Sequence, residues 1–196
     1  MTSEFTSNKK RLFDLWAPSY DFFFLTIFYQ AVHKRLLEFV DLPSKSDVLD
    51  IGCGTGRLLN RLAANFPDMR GFGLDLSPEM LRVARQKNNH HPRLIFIEGK
   101  AESLPFAENQ FDAVFNTISF LHYPEPQQFF SEVARVLKKG GRFYLVDSAL
   151  PSSYLSIAKV RFYSKQEREN LGSDVGLSCL GHHYIMGPVL LSVFAK

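Results

Sequence analysis

The chain has 196 residues, 45% of them hydrophobic, which fits one domain with one sizeable core and excludes a compositionally disordered chain. Its 23 basic and 20 acidic residues leave a net charge of +3, scattered without a run, so no nucleic-acid partner is expected. Cys53 and Cys179 make no disulfide framework, and neither they nor His90-His91 and His182-His183 show zinc-ligand spacing, so no metal site is expected either.

No charged, apolar and cleavable pattern opens the chain. The longest apolar run, Phe22-Phe23-Phe24-Leu25-Thr26-Ile27-Phe28-Tyr29, is far short of the ~20 residues that span a bilayer. A cytoplasmic protein is the expectation. Residues 1–45 read as helical, with Val32, Leu36, Phe39 and Val40 on one helix face and Pro43-Ser44 as the stop. Asp47-Val48-Leu49-Asp50-Ile51 is a short apolar strand, and Gly52-Cys53-Gly54-Thr55-Gly56 the turn after it. A helix from about Thr55 places Leu59, Leu62, Ala63 and Phe66 on one face. Gly71-Phe72-Gly73-Leu74-Asp75 is the second strand. Ser77-Pro78-Glu79 opens the next helix, with Ser as N-cap and Pro at the first helical position, where its missing N–H costs nothing. Leu94-Ile95-Phe96-Ile97 and Phe111-Asp112-Ala113-Val114-Phe115 are the third and fourth strands. A helix from about Pro126 to Lys138 is stopped by Gly140-Gly141, before the fifth strand, Arg142-Phe143-Tyr144-Leu145-Val146.

Ser164 signals another helix. The strand-like runs 177–184 and 189–195 are separated only by Ile185-Met186-Gly187-Pro188, a gap that permits an antiparallel pair and forbids a parallel crossover. The prediction is an α/β fold: a seven-stranded, mostly parallel sheet with helices on both faces and an antiparallel C-terminal edge strand. One domain is expected, with a helical N-terminal lid over 1–45, a cofactor-binding core over 46–147, and a C-terminal helix and strand pair over 148–196.

Open α/β sheets bind ligands beyond the carboxyl ends of their strands. The glycines at 52, 54 and 56 let the backbone turn sharply and approach a ligand closely. The free N–H groups of the following helix suit a carboxylate or a phosphate. An ordinary tight strand–helix turn would have the same composition. Asp75 ends the second strand nineteen residues past Gly56, a spacing that fits a carboxylate accepting both hydroxyls of an adenosine ribose. A nicotinamide-binding turn is the nearest rival, but it requires Gly-x-Gly-x-x-Gly, and Arg57 stands where its third glycine belongs. Asp50 separates the two further. It would repel a pyrophosphate and attract the ammonium of a bound amino acid.

The segment Val48-Leu49-Asp50-Ile51-Gly52-Cys53-Gly54-Thr55-Gly56 resembles the first motif of class I S-adenosylmethionine (SAM)-dependent methyltransferases. Gly73-Leu74-Asp75-Leu76-Ser77-Pro78-Glu79-Met80-Leu81 resembles their second motif. Gly99-Lys100-Ala101-Glu102-Ser103-Leu104-Pro105-Phe106, followed by Phe111-Asp112-Ala113-Val114, resembles the third, and Leu137-Lys138-Lys139-Gly140-Gly141 the turn before the fifth strand. The order holds over residues 46–147. Ala17-Pro18-Ser19-Tyr20-Asp21 matches an N-terminal element of the ubiquinone/menaquinone-biosynthesis C-methyltransferases, the most similar subgroup. The resemblance implies a Rossmann-like sheet, SAM as cofactor and a small-molecule substrate. It implies that Asp50 faces the methionine amino group, that Gly52 and Gly54 pass beneath the cofactor with Cys53 and Gly56 in the same turn, and that Asp75 holds the ribose. Leu76 would pack on the adenine, Ala101 would offer it a backbone N–H with Glu102 alongside, and Asn116 would approach the methionine end mainly through its backbone. Tyr20 would close over the cofactor.

Methyl transfer from a sulfonium needs alignment and exclusion of water more than it needs a catalytic residue. An oxygen or carbon acceptor would need a base. His122, in Ser119-Phe120-Leu121-His122-Tyr123 after the fourth strand, is the best-placed candidate; a structural role in that loop is the other reading. Tyr20 and Tyr123 are weaker candidates. Cys53 is a small residue the turn requires, not a nucleophile. The aromatic run over 22–29 either fills the core or forms an apolar lid over an aromatic or lipid-like acceptor. A SAM-binding scaffold or sensor without catalysis is the alternative to an enzyme. The family often has Asp where Lys100 stands, and lysine cannot accept the adenine amino proton. Lys100→Asp is therefore expected to tighten SAM binding in a calorimetric titration; unchanged or poorer affinity would reject that reading.

Overall fold

The computed structural model describes residues 23–149, 154–155 and 160–196. Helix α1 (Phe23–Leu37) precedes an alternating series: β1 (Asp47–Ile51), α2 (Arg57–Asn65), β2 (Arg70–Asp75), α3 (Pro78–Gln86), β3 (Leu94–Glu98), β4 (Phe111–Thr117), α4 (Pro126–Val136) and β5 (Leu137–Ser148). A small antiparallel pair, β6 (Tyr154–Leu155) and β7 (Val160–Arg161), leads to α5 (Lys165–Ser173), β8 (Ser178–Met186) and β9 (Val189–Ala195). The main sheet has seven strands in the order β3-β2-β1-β4-β5-β9-β8. Strands β1 to β5 pair in parallel, and β9 runs antiparallel to both β5 and β8. The antiparallel edge is present as expected, with β9 seated inside it and β8 outermost. Burial explains this order. Six of the seven residues of β9 are buried, whereas β8 leaves Leu180 and Tyr184 exposed.

Strands buried on both faces send successive side chains into two separate layers. Val48, Ala113, Phe115 and Tyr144 meet α1, α2 and α3 on one side; Leu49, Ile51, Val114 and Leu145 meet α4 and α5 on the other. Much of the phenylalanine excess is core. Phe120–Phe129, Phe130–Phe143 and Phe143–Phe194 pack with ring centroids 5.3, 5.6 and 5.7 Å apart.

Local chemistry sets the helix ends. The Ser77 hydroxyl accepts from the Met80 N–H at 3.2 Å and caps α3. Ser164 and Glu167 form a reciprocal capping box on α5. Helix α2 begins at Arg57, two residues later than expected, because Gly56 at φ 74° is its N-cap. Helix α4 stops at Val136 and does not reach Lys138. Leu137 is already paired with Phe111 in the sheet, and Lys138 is drawn to Asp112 at 2.8 Å.

One buried cation braces the upper end of β5. Arg168, 0% exposed, donates to the carbonyls of Tyr163, Leu190, Asp147 and Ser148 and to the Ser192 hydroxyl, all at 3.1–3.3 Å. Burial lowers its pKa to about 10. The carboxyl of Asp147, 1% exposed, is raised by burial to about 6, against the opposing pull of backbone N–H groups and Arg168. Replacing Arg168 by Leu strands four buried carbonyls and removes a compensating charge, so a loss of about 3–5 kcal/mol is expected in urea unfolding at pH 7. Arg168→Lys should recover part of that loss.

Candidate cofactor and active site

Strands β1 and β4 are neighbours, and the chain leaves β1 toward β2 and β3 but leaves β4 toward β5. The crevice above this reversal is where such sheets take ligands. Asp50 lies near the carboxyl end of β1, paired in register with Gly73 on one side and Phe115 on the other. It is 1% exposed, and its Oδ1 is buried without a hydrogen-bond partner. Burial, and after it the Asp75 carboxylate, push its pKa well above the usual carboxylate range. A carboxyl held this way would be relieved by an incoming cation.

The turn after β1 is tied to β2 by two donors, the N–H groups of Gly52 and Cys53, which share the Leu74 carbonyl at 2.7 and 3.0 Å. Its three glycines divide the work. At Gly54, φ is +51° and a Cβ would meet nothing within 4 Å, so its face is open cradle. At Gly52 a Cβ would lie 2.5 Å from the Ser119 hydroxyl and 2.8 Å from that of Tyr123, so this chain's own side chains already cover it. At Gly56 a Cβ would strike the Phe96 ring at 2.8 Å; that glycine serves helix-to-sheet packing. Cys53 is buried, and burial with the two aspartates pushes its thiol up, which keeps it an inert small side chain.

Asp75 receives the Gly54 N–H on Oδ2 at 2.8 Å and the Ser77 N–H on Oδ1 at 2.9 Å. A carboxylate offers roughly four acceptor sites, so one group can brace the turn and still receive a diol. The Gly99 N–H donates to the Asp75 carbonyl at 3.0 Å, which brings the 99–106 segment beside it. There Ala101 is buried, Leu76 and Glu102 are half-buried, and Lys100 is exposed and bridged to Ser103. Tyr20 and the rest of Ala17-Pro18-Ser19-Tyr20-Asp21 lie outside the described residues. From the aromatic run, Phe28 packs against the core and Ile27 is half-exposed, while Phe22 is outside the described residues.

On the other side of the crevice the structure departs from expectation. Asn116 is 0% exposed and works through its side chain. Its Nδ2 lies 2.8 Å from the Ile51 carbonyl, 2.7 Å from the Ser119 hydroxyl and 2.9 Å from the Tyr123 hydroxyl. Its Oδ1 is buried with no partner. The Ser119 and Tyr123 hydroxyls are 3.1 Å apart and complete the network. Burial raises the Tyr123 phenol well above 10, so it serves as a fixed hydroxyl and not as a base. Ser119 and this role of Tyr123 were missed in the sequence, where only their position after β4 marked them. His122 is half-buried in a short 3₁₀ turn, Phe120–His122. That turn is anchored from below by the Asp147 carboxylate, which accepts the Leu121 N–H at 3.1 Å.

These groups suit S-adenosylmethionine. The cradle has an orphaned buried carboxyl that an ammonium would fit, an open glycine face, and a second carboxylate with acceptor capacity that a ribose diol would fit. Comparison with known proteins agrees. A methyltransferase-domain family model matches residues 49–145. The demethylmenaquinone methyltransferase of Chlorobaculum parvum is 30% identical over 190 residues, covering 93% of this chain and 77% of that protein. The fatty-acid O-methyltransferase of Mycolicibacterium smegmatis is 41% identical over 101 residues, covering 52% of this chain and 36% of that protein. A solved chain from the complex of the Haloferax volcanii Trm112 methyltransferase activator with a methyltransferase has a TM-score of 0.84 at 24% identity, over 93% of this chain and 96% of that one. The fold and the site define an enzyme that uses S-adenosylmethionine to transfer a methyl group. The chain belongs to the class I SAM-dependent methyltransferases and is similar to their quinone-biosynthesis members. Among the described residues, no helix is long and apolar enough to cross a membrane.

The raised Asp50 pKa has a sign that can be measured. The unfolded carboxyl ionises near 4, so the buried one opposes folding increasingly as pH rises above that value. Asp50→Asn should therefore melt higher than the parent at pH 7.5, with the difference shrinking toward pH 4. The same substitution should weaken SAM binding at least about tenfold. Parent affinity should rise with pH as the carboxyl loses its proton to meet the ammonium, and the variant should lack that slope in calorimetry.

Proposed function

We propose that this methyltransferase acts on a small apolar or aromatic acceptor, with His122 as the general base. The observation that carries the reading is the half-buried Tyr123 ring beside the glycine turn. The Tyr123 ring packs against Phe129 at 4.9 Å and Phe120 at 6.3 Å, while its hydroxyl lies over Gly52. An acceptor entering here would meet the Tyr123 ring, backed by the buried Phe120 and Phe129, beside a short set of fixed polar groups. The relatives named above are a quinone-type and a fatty-acid enzyme, which supports an apolar acceptor.

The cofactor supplies a methyl group already activated as a sulfonium. The chain's residues supply the rest. Asp50 orients the amino-acid end, and Asp75 fixes the ribose end. Asn116, Ser119 and Tyr123 hold the floor beside them in one arrangement, which favours in-line approach of an acceptor. His122 sits between two fixed neighbours: Leu121, held by Asp147, and Tyr123, held by Asn116. Its imidazole offers a nitrogen that can remove a phenolic or enolic proton as the new bond forms, whereas a carboxylate acceptor arrives already ionised.

The test is transfer of a radiolabelled methyl group from SAM to a reduced naphthoquinone, a long-chain fatty acid and a polar amine offered separately. Label should enter one of the first two. His122→Gln should lower kcat by about 10²–10⁴-fold and leave SAM affinity unchanged. Transfer only to the amine would contradict the acceptor class, and an unchanged kcat in the variant would contradict the base.

A further inference from the structure

Away from the crevice, three side chains of different chemistry converge on one point. Glu169 comes from α5, and Cys179 and His182 come from β8. The His182 Nε2 lies 2.9 Å from the Glu169 Oε1 and 3.6 Å from the Cys179 Sγ, and the three donor atoms all lie within 4.8 Å of one another. A regular strand points residues three apart to opposite faces. Here the β8–β9 register shifts between Cys179 and Gly181, and this bulge brings Cys179 and His182 to the same side, facing α5.

The arrangement is not that of a nucleophile relay. In a relay the acid and the nucleophile occupy opposite ring nitrogens of the histidine. Here the carboxylate and the thiol both face Nε2. The other nitrogen, Nδ1, is 2.9 Å from the Ser192 hydroxyl, which also accepts from Arg168 at 3.2 Å. With Nδ1–H donating to that hydroxyl, the ring is fixed and Nε2 is free to give its lone pair to a metal at the shared point. We propose that Glu169, Cys179 and His182 form a zinc site that clips α5 to the edge strand, with its fourth position open to solvent.

The dimensions agree with this. Zn–S of about 2.3 Å and Zn–N of about 2.0–2.1 Å at the tetrahedral angle put sulfur and nitrogen about 3.5–3.6 Å apart. The Cys179–His182 pair is at 3.6 Å without adjustment. The glutamate oxygen must retreat by about half an ångström to reach its own tetrahedral edge. Its side chain is 42% exposed on a helix surface and can do so. A nitrogen, a sulfur and an oxygen donor together suit zinc better than magnesium or calcium, which take oxygen ligands. Glu169 and Cys179 both line a cavity of about 590 Å³ with Gln166, Asn170 and Ser173, so the fourth position opens onto polar space that can hold water. The site is independent of the methyl-transfer chemistry, and its failure would leave that reading untouched.

The protein, stripped with a chelator, is titrated with ZnCl₂ and, separately, with CoCl₂. One equivalent should bind. The cobalt form should show sulfur-to-metal charge transfer in the near ultraviolet and the strong visible bands of a tetrahedral centre. Cys179→Ser should abolish the charge-transfer band, and Glu169→Gln, at a half-exposed helix position, should weaken zinc at least about tenfold. Ser192→Ala should weaken it about 10–100-fold without removing a ligand. SAM affinity should stay at the parental value in Cys179→Ser and Glu169→Gln, which certifies their fold. Absence of stoichiometric binding in the parent, or full zinc affinity retained in Glu169→Gln or Cys179→Ser, would overturn the proposal.

Discussion

A carboxyl group buried at a strand end with one oxygen unpaired is a cost that a folded chain does not carry idly. Burying such a group without compensation opposes ionisation and weakens folding. Above Asp50 the chain leaves β1 toward β2 and leaves β4 toward β5, and in the crevice at that reversal a positively charged ligand would restore what burial removed. The neighbouring features follow from that constraint. The bare face of Gly54 leaves room for a ligand to come close, and on the proposed reading Asp75, which braces the turn, would serve the other end of the same molecule.

The two sides of the crevice are stiffened by different means. On the β2 side the work is done by backbone: the Leu74 carbonyl takes two N–H groups of the turn, and the Asp75 carboxylate takes one from each of two loops. On the β5 side it is done by side chains. Asn116, Ser119 and Tyr123 interlock above Ile51, and Asp147 pins the short turn that carries His122. Arg168 in turn holds the backbone around Asp147. The β5 side is thus built on a buried charged platform, and the β2 side on hydrogen-bonded loops.

Local signals were the legible ones. The glycine turn, the Ser77 cap with Pro78 and the alternation of apolar strands could all be read because each depends on a few adjacent residues. The pair β8–β9 was also visible, since four intervening residues allow nothing but a hairpin-like return. That β9 and not β8 lies against β5 was not visible, because it depends on which run is the more completely buried. The side-chain network of Asn116 was not visible, because it needs the loop after β4 to fold Ser119 and Tyr123 back over the strand end and the distant Ile51 carbonyl to lie beside them. The meeting of Glu169 with Cys179 and His182 was hidden twice over, by a helix-to-strand contact and by a bulge that reverses the ordinary alternation of a strand.

If Asp50 receives the amino group of the bound cofactor, a ligand without that group must lose affinity. S-adenosylhomocysteine and its analogue lacking only the α-amino group are titrated in parallel by calorimetry at neutral pH. The account predicts that the desamino ligand binds at least about tenfold more weakly, because a charge-assisted contact to a buried carboxylate is lost. Equal affinity for the two ligands would contradict it.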